Sequence, residues 1–378
     1  MHLVGGAVRD LMLGGAPPDL DLVVEGDAIA LAHVLAERMG GTVTAHEQFG
    51  TATVAAGDRT YDLAGARRER YSKPGALPEV EPAGLEEDLQ RRDFTVNAMA
   101  ISLTPGREGE LQCVEGASDD LTGRRLRILH DRSFVDDPTR LLRLARYAAR
   151  LGFEPGSRTS KLAVNAVMGG ALATVSGARI GRELLLLLGE PGALDGLDWC
   201  HRLGLLRALS PDLDCDRELA GGALALLPAD GRADLLLLAA CSRRMGDREL
   251  REWLDHLDLT ARERERVATA AQDAPGYGER LQGIPDVRPS QLAELLRGRP
   301  VEVVALAGAL GPTEPARRWL EETRHVELEI DGQDLVAAGV SEGPELGRAL
   351  DQALRRKLDG EIAGREAELQ AALAAAGR

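Results

Sequence analysis

The chain has 378 residues, 44% of them apolar and only 3% aromatic, enough for a sizeable core built mainly from Leu, Ala and Val. No apolar run approaches a membrane span, Met1-His2-Leu3-Val4 begins no secretory signal, and four dispersed cysteines (Cys113, Cys200, Cys215, Cys241) fit neither a zinc site nor a disulfide scaffold. Membrane, secreted, fibrous and metal-stapled classes are thereby excluded, a cytoplasmic location is expected, and a net charge of −15 taken alone argues against a nucleic-acid partner.

In chain order, Leu3-Val4 reads as a strand, Gly5-Gly6 as a turn and Ala7–Leu13 as a helix ending at Gly14-Gly15. Leu20–Val24, Thr42–Ala45, Ala52–Ala55 and Thr60–Leu63 read as strands, because β-branched residues are punctuated there by Gly and Asp. Between the first two of these, Ala28–Met39 predicts a helix closed by Gly40-Gly41. Arg68–Glu87 is rich in Pro, Gly and Glu and reads as a loop. From Pro138 the period becomes helical, with a helix over Pro138–Leu151 stopped by Gly152. Amphipathic Ala- and Leu-rich segments follow, broken at Pro191-Gly192, Ser210-Pro211, Pro228, Pro275-Gly276, Pro285–Pro289 and Gly311-Pro312. The expected fold is an α/β N-terminal head, a small mixed sheet with helices, followed by an all-α remainder.

Charge is unevenly spread. Residues 121–185 hold twelve Lys/Arg against five Asp/Glu, a local balance of +7 that leaves −22 for the rest. Eleven of those twelve cations are Arg, which binds phosphate through a fork and stacks on bases. A solvated helical face is the plain alternative for such a patch.

Three features carry chemistry. Gly5-Gly6 lets a phosphate approach the backbone ahead of a helix, with Arg9 one turn further on, although most such turns are structural. In Asp19-Leu20-Asp21 the two carboxylates fall on one side of a strand and repel each other unless a cation lies between them. Hard oxygen ligands of this kind suit Mg²⁺, which also binds substrate phosphates. Asp62, at the end of another strand, adds a third carboxylate, and the set fits metal-assisted nucleotidyl transfer in which a carboxylate helps deprotonate a hydroxyl. Arg143 and Arg146 follow Arg140 at helical spacing and are expected to reach phosphate. Trp199, Trp253 and Trp319 are expected in the core.

Taken together, Gly5-Gly6-Ala7-Val8-Arg9-Asp10 with Asp19-Leu20-Asp21 resembles the first motif of class II tRNA nucleotidyltransferases, the CCA-, CC- and A-adding enzymes and bacterial poly(A) polymerases. Further motifs agree in order: Arg91 to Ala100, Asp120 to Arg127, Asp136 to Tyr147 and, more weakly, Arg179 to Leu184. Gly332-Gln333-Asp334-Leu335, Gly343-Pro344 and Asp359-Gly360-Glu361 resemble the family's tail. The resemblance implies a catalytic head over 1–125, an Arg-rich neck for base selection over 126–190, a helical body over 191–300 and a tRNA-binding tail over 301–378. It implies Mg²⁺ on Asp19 and Asp21, with Asp62 as a third acidic position. It further implies triphosphate contacts from Gly5, Gly6 and Arg9, and nucleotide contacts from Arg91, Arg92, Asp93 and Asn97. Asp137 and Arg140 are implied to read the edge of the incoming base. A carboxylate accepts from an exocyclic amine and a guanidinium donates to a ring acceptor, a pattern that cytosine and adenine share and that guanine and uracil reverse.

Two departures stand out: only Met1–Val4 precede Gly5, where the family carries a helix, and Asp136 replaces the usual Glu. His130-Asp131 stands alone and makes no phosphohydrolase motif. The segment Glu69-Arg70-Tyr71 with Lys73–Pro78 resembles members with A-adding or poly(A) activity. The implied function is Mg²⁺-dependent, template-independent addition of C and/or A from CTP and ATP to the tRNA 3′ end. A-only addition, poly(A) synthesis and a catalytically silent RNA-binding module remain as alternatives, and tRNA phosphates are expected on the Arg-rich neck and part of the tail.

Overall fold

The fold was read from a computed structural model, which describes residues 1–17, 19–47, 50–283 and 287–377. Packing divides the chain between Pro211 and Asp212.

The first unit opens with β1 (His2–Val4), α1 (Gly6–Met12), β2 (Leu20–Val24), α2 (Ala28–Met39), β3 (Thr42–His46), β4 (Thr51–Ala56) and β5 (Arg59–Gly65). It continues with β6 (Arg67–Arg70), β7 (Glu79–Pro82), α3 (Leu85–Gln90), β8 (Met99–Ser102), β9 (Leu111–Cys113) and α4 (Ala117–Thr122). Seven of these strands form one mixed sheet in the order β3-β4-β5-β2-β1-β8-β9. β2 and β5 are parallel, and their register sets Asp21 opposite Asp62 and Leu22 opposite Leu63. Strand alternation turns Val23 to the same side as Asp21. There Val23 packs with Val4, Ala66, Leu85, Leu89, Ala98 and Ala100, so the apolar cluster lies beside the acidic edge of β2.

The helices expected from capping and period are present. Asp27 caps α2 by accepting from Ala30 N at 2.9 Å, and Gly40 closes it in the left-handed region. Arg68–Glu87 is not a loop throughout: β6 and β7 pair antiparallel there, and α3 begins at Leu85. This ribbon lacks the apolar alternation that marks a strand, and charge holds it instead. Arg68 sits opposite Glu81 in the register, with the side chains 2.7 Å apart.

Beyond the sheet, β10 (Arg125–Leu126) pairs with β11 (Glu154–Pro155), and α5 (Ser133–Asp136) leads into α6 (Thr139–Leu151). Pro138 precedes α6 and Gly152 ends it at φ +63°. The buried face of α6 carries Leu141, Leu142, Leu144, Ala145 and Ala148, together with Arg140 and Arg146. α7 (Ser157–Met168), α8 (Gly177–Leu188), α9 (Ala193–Leu203) and α10 (Leu205–Leu209) complete the unit, with α6 packing on α8 and α9.

Asp212–Arg378 is helical in its described residues. Its helices are α11 (Arg217–Leu226), α12 (Ala233–Ser242), α13 (Asp247–His256), α14 (Ala261–Gln282), α15 (Pro289–Leu296), α16 (Val301–Leu310), α17 (Thr313–Glu321), α18 (Gly332–Ala337), α19 (Pro344–Leu358) and α20 (Arg365–Ala375). α14 runs straight through the break expected at Pro275-Gly276. The lost amide bond is outweighed by packing, because Ala271, Ala274 and Gly278 present small surfaces and α14 lies along α16. The break at Pro285–Pro289 falls partly outside the described residues, with Pro289 starting α15. Of the tryptophans, Trp319 is buried, whereas Trp199 and Trp253 are half-buried rather than core.

Leu144→Ala empties a fully buried position on α6. It is expected to cost about 2–5 kcal/mol of stability, measured by urea denaturation.

Candidate active site

The site is built where α6 and the α3–β8 connection meet the central strands β1 and β2 of the sheet. Gly5 leaves β1 at φ +70°, and a Cβ there would lie 2.7 Å from a guanidinium nitrogen of Arg92. Only glycine combines that backbone with so close an arginine.

Beneath this turn Arg9 is 2% exposed. Its Nε donates to Asp10 at 2.8 Å, its Nη1 donates to Asn97 Oδ1 at 2.6 Å, and its guanidinium stacks 5.4 Å from the Tyr147 ring. Three of its five N–H groups are committed in this way, with Nη2 2.7 Å from Asp10 Oδ1, and Arg9 braces Gly5-Gly6 and Asn97 from beneath the turn.

The segment after α3 is an ion-pair lattice. Asp88 is fully buried and accepts from both Arg91, at 2.9 Å, and Arg92, at 2.9 Å. Arg91 also reaches Glu69 at 2.9 Å, which ties the β6 ribbon to the lattice. Asp93 accepts from Arg143 Nε at 2.9 Å and Nη2 at 2.7 Å through Oδ2, and from Asn97 and the Phe94 amide through Oδ1. Burial alone raises the pKa of the Asp93 carboxyl, but Arg143, Asn97 and Arg140 outweigh it and bring the pKa down to about 2. Burial likewise opposes the charge of Arg143, and Asp93, with Tyr147 and Glu183, reverses this and drives its pKa up.

Arg143 is paired with Asp93 and, at 3.1 Å, with Glu183, and is half-buried at the wall of the site. Arg146 is buried on the core face of α6, 3.5 Å from Glu183 and stacked 5.2 Å from Tyr147.

Asp137 and Arg140, one turn apart, do not pair through their side chains. Arg140 donates to Ser133 Oγ at 2.7 Å and to the Arg91 carbonyl at 2.7 Å. Asp137 Oδ1 accepts from Thr139 Oγ1 at 2.6 Å and from Arg179 at 2.7 Å.

A cleft of about 290 Å³ joins these walls. It is lined by Gly5, Gly6, Asp21, Arg91, Arg92, Asp93, Asn97, Asp137, Arg140 and Arg143, together with Glu69, Tyr71 and Tyr147. An adjoining pocket of about 330 Å³ shares Asp21, Arg91 and Arg92 and adds Asp62. Asp19 is exposed ahead of β2 and lines neither. Asp62 is held by Thr53 Oγ1 at 2.5 Å. Desolvation by the cleft walls raises the pKa of Asp21, and Asp62 and Asp19 add to this against the pull of Arg92. A larger groove of about 1100 Å³, lined by residues such as Gln112, His130 and Arg158, contains neither Asp21 nor Asp137.

Residues 1–127 match the family of the poly(A) polymerase head domain. A CC-adding tRNA nucleotidyltransferase of Deinococcus radiodurans is 38% identical over 82% of this chain and 81% of its own length. The chain belongs to the tRNA nucleotidyltransferase family. An A-adding tRNA nucleotidyltransferase of Geobacter sulfurreducens is 35% identical over 99% of this chain but 45% of its own length, and the first curated relatives are matched over half of their length or less. The solved Thermotoga maritima CCA-adding enzyme complexed with tRNA superposes with TM-score 0.77 at 29% identity, covering 99% of this chain and 90% of that one.

For a tRNA nucleotidyltransferase, the cleft and the side chains that brace it include several residues to which sequence reading gave no role. Tyr147 in the wall, and Arg179 and Glu183 behind it, lay inside quoted motifs without a role. Glu69 and Tyr71 belong to the segment that resembles A-adding members but had no contact assigned, because that stretch read as loop, and Asp88 gave no signal. Burial, with Glu69 beside it, pushes the Tyr71 hydroxyl up, so it remains a hydrogen-bond donor at neutral pH, directed at Glu69 Oε2 3.0 Å away.

A raised pKa means that ionised Asp21 costs stability at every pH above its folded value, neutral pH included. Asp21→Asn is therefore expected to raise the melting temperature of the metal-free protein at pH 7, with the gain vanishing as acid protonates the wild-type carboxyl. Differential scanning fluorimetry across pH checks this.

Proposed function

We propose that this cleft adds C or A from CTP or ATP to the 3′ end of tRNA, without a nucleic-acid template and with release of pyrophosphate. The observation that carries the reading is one cavity holding the β2 carboxylate Asp21 together with Asp137 and Arg140 at the start of α6.

In this reading Asp21, with Asp19 just before it in the chain, holds Mg²⁺, and Asp62 stands opposite Asp21 as the third carboxylate. The fit rests on their chemistry. Asp62 lies opposite Asp21 on the paired strand, and partial burial first, then Asp62 and Asp19, raise the Asp21 pKa, so a cation there is favoured. Mg²⁺ suits such an open site, since it uses one or two carboxylates and completes its shell with water and substrate phosphate. When bound, it supplies charge neutralisation at the triphosphate. The Gly5-Gly6 backbone, kept close by Arg92, receives the phosphates, and Arg91 and Arg92 face the ribose. Asp62 Oδ2, left open while Oδ1 accepts from Thr53, takes the proton of the attacking 3′-hydroxyl. The new bond joins the 3′-oxygen to the α-phosphorus, and the α–β bridging bond breaks.

Base choice falls to Asp137 and Arg140. Asp137 accepts from the exocyclic amine of C or A, and the remaining N–H groups of Arg140 donate to the ring acceptor. G and U leave those groups facing their like, at about 1–3 kcal/mol per unsatisfied group. The Arg-rich stretch 121–185 and the 301–378 tail supply contacts to tRNA phosphates, so binding weakens steeply with salt. No helix among the described residues is long and apolar enough to cross a membrane, and a tRNA substrate is consistent with a cytoplasmic enzyme. Within this class, A addition is favoured by the Geobacter A-adding relative, whose match runs over 99% of the chain.

Incubation with Mg²⁺ and tRNAs lacking CCA, or ending in C or CC, tests the reading with labelled CTP or ATP offered singly. Incorporation that stops at completed CCA is expected. ATP use on CC-ended tRNA alone identifies an A-adding enzyme, a long ladder a poly(A) polymerase, and RNA binding without incorporation by folded protein rejects the proposal. Asp21→Ala should abolish transfer of every nucleotide. Asp137→Ala should instead lower the preference for CTP or ATP over UTP about tenfold or more, read as kcat/KM ratios.

A further inference from the structure

Three donors converge on one oxygen of Asp137. Oδ1 accepts from the Thr139 amide at 3.1 Å, Thr139 Oγ1 at 2.6 Å and Arg179 Nη2 at 2.7 Å. Among the described residues nothing bonds Oδ2. The other arm of the same guanidinium, Nη1 of Arg179, donates to the Gly75 carbonyl at 3.0 Å. Arg179 comes from α8, Gly75 from the turn between β6 and β7, and Asp137 from the entry to α6, so one side chain joins three separate pieces of the first unit.

The Gly75 end is equally constrained. Its amide donates to the Asp136 carbonyl at 3.3 Å, and its φ is +71°. A Cβ there would lie 2.3 Å from Thr174 Oγ1 and 2.5 Å from the Thr174 carbonyl. The turn is thus seated on the helical wall by backbone alone, with both amide and carbonyl of Gly75 committed to groups at or beside Asp137.

We propose that Arg179 is a positioning residue for base choice. By gripping Asp137 and the Gly75 carbonyl together, it leaves the carboxylate a single outward acceptor and makes the 72–76 turn part of the base-reading wall. The inference rests on the reading of Asp137 given above and adds the group that makes that reading selective. A carboxylate free to rotate turns aside from a base that offers it an acceptor and so stops penalising that base. With Oδ1 held by three donors, rotation breaks all three bonds, and Oδ2 stays aimed into the cleft. Lysine offers a point charge where this geometry needs a fork.

The test compares kcat/KM for CTP or ATP with that for UTP, on whichever tRNA end the wild type extends. Arg179→Gln is expected to lower the ratio about tenfold, chiefly by raising UTP use, with a melting temperature near wild type. Arg179→Lys should fall between the two. Adding Gly75→Ala to Arg179→Gln should lower the ratio little further, since both break one linkage; independent, multiplying losses would contradict the role given to the turn. An Arg179→Gln enzyme slowed equally with all nucleotides, its ratio unchanged, overturns the proposal and leaves a structural ion pair. Should that variant not fold, Arg179→Lys carries the test, and a wild-type ratio there overturns it. Failure of the wild type to incorporate any nucleotide would reject the functional reading instead.

Discussion

Asp93 and Arg143 hold the two walls of the cleft together. The carboxylate belongs to the segment that follows α3, the guanidinium to α6, and two N–H groups of one meet a single oxygen of the other at 2.9 and 2.7 Å. Both partners are largely withdrawn from water, so neither tolerates loss of the other; removing one side of such a pair leaves an uncompensated buried charge. The remaining valences are also used, with Asn97 and Phe94 on Asp93 and Glu183 and Tyr147 around Arg143. Through Asn97 the lattice extends to Arg9 and the glycine turn, and through Asp88 and Glu69 to the β6 ribbon. Most charges of this scaffold are paired in place, while Arg92 Nε, Arg146 Nε and Glu183 Oε2 are buried without a hydrogen-bond partner among the described residues.

The exceptions are informative. Where the scaffold pairs its charges, the edge of β2 and β5 leaves them unpaired: Asp21 faces Asp62 across the register, and the pKa of Asp21 is pushed up. Burial is the main cause of that rise and the neighbouring carboxylates add to it, a stability cost of the kind found at functional sites. Asp137 shows a milder version, one oxygen saturated and one left open.

Much of this was legible in the sequence because the signals were local. The period and caps of Ala28–Met39 and of the helix ending at Gly152 each fix geometry within a few residues, whereas β2 begins only at Leu20 and leaves Asp19 ahead of the strand. The motif order likewise placed Asp21, Arg91, Arg92, Asp93, Asn97, Asp137 and Arg140, which the fold brings to one cleft. What was not legible depends on partners distant in the chain. The bond from Arg9 to Asn97 spans 88 residues and could not be read from the motif. Arg143 and Arg146 share a face as their spacing said, but their partners Asp93 and Glu183 lie far along the chain. The β6–β7 ribbon is held by cross-strand charge and carries no apolar period, and Pro275 is carried through α14 by packing against α16. Arg179 had no readable role because its two partners lie 42 and 104 residues away.

The central claim is that triphosphate and base are held in one cleft, with the base edge turned to the start of α6. Photolabelling with 2-azido-ATP in the presence of Mg²⁺ probes this directly, since the azide sits beside the edge that Asp137 and Arg140 would read. The account predicts ATP-competable label on the peptides carrying Glu69–Tyr71 or Asp137–Tyr147. Label confined to the larger groove lined by Gln112 and His130, or label that ATP does not displace, would contradict it.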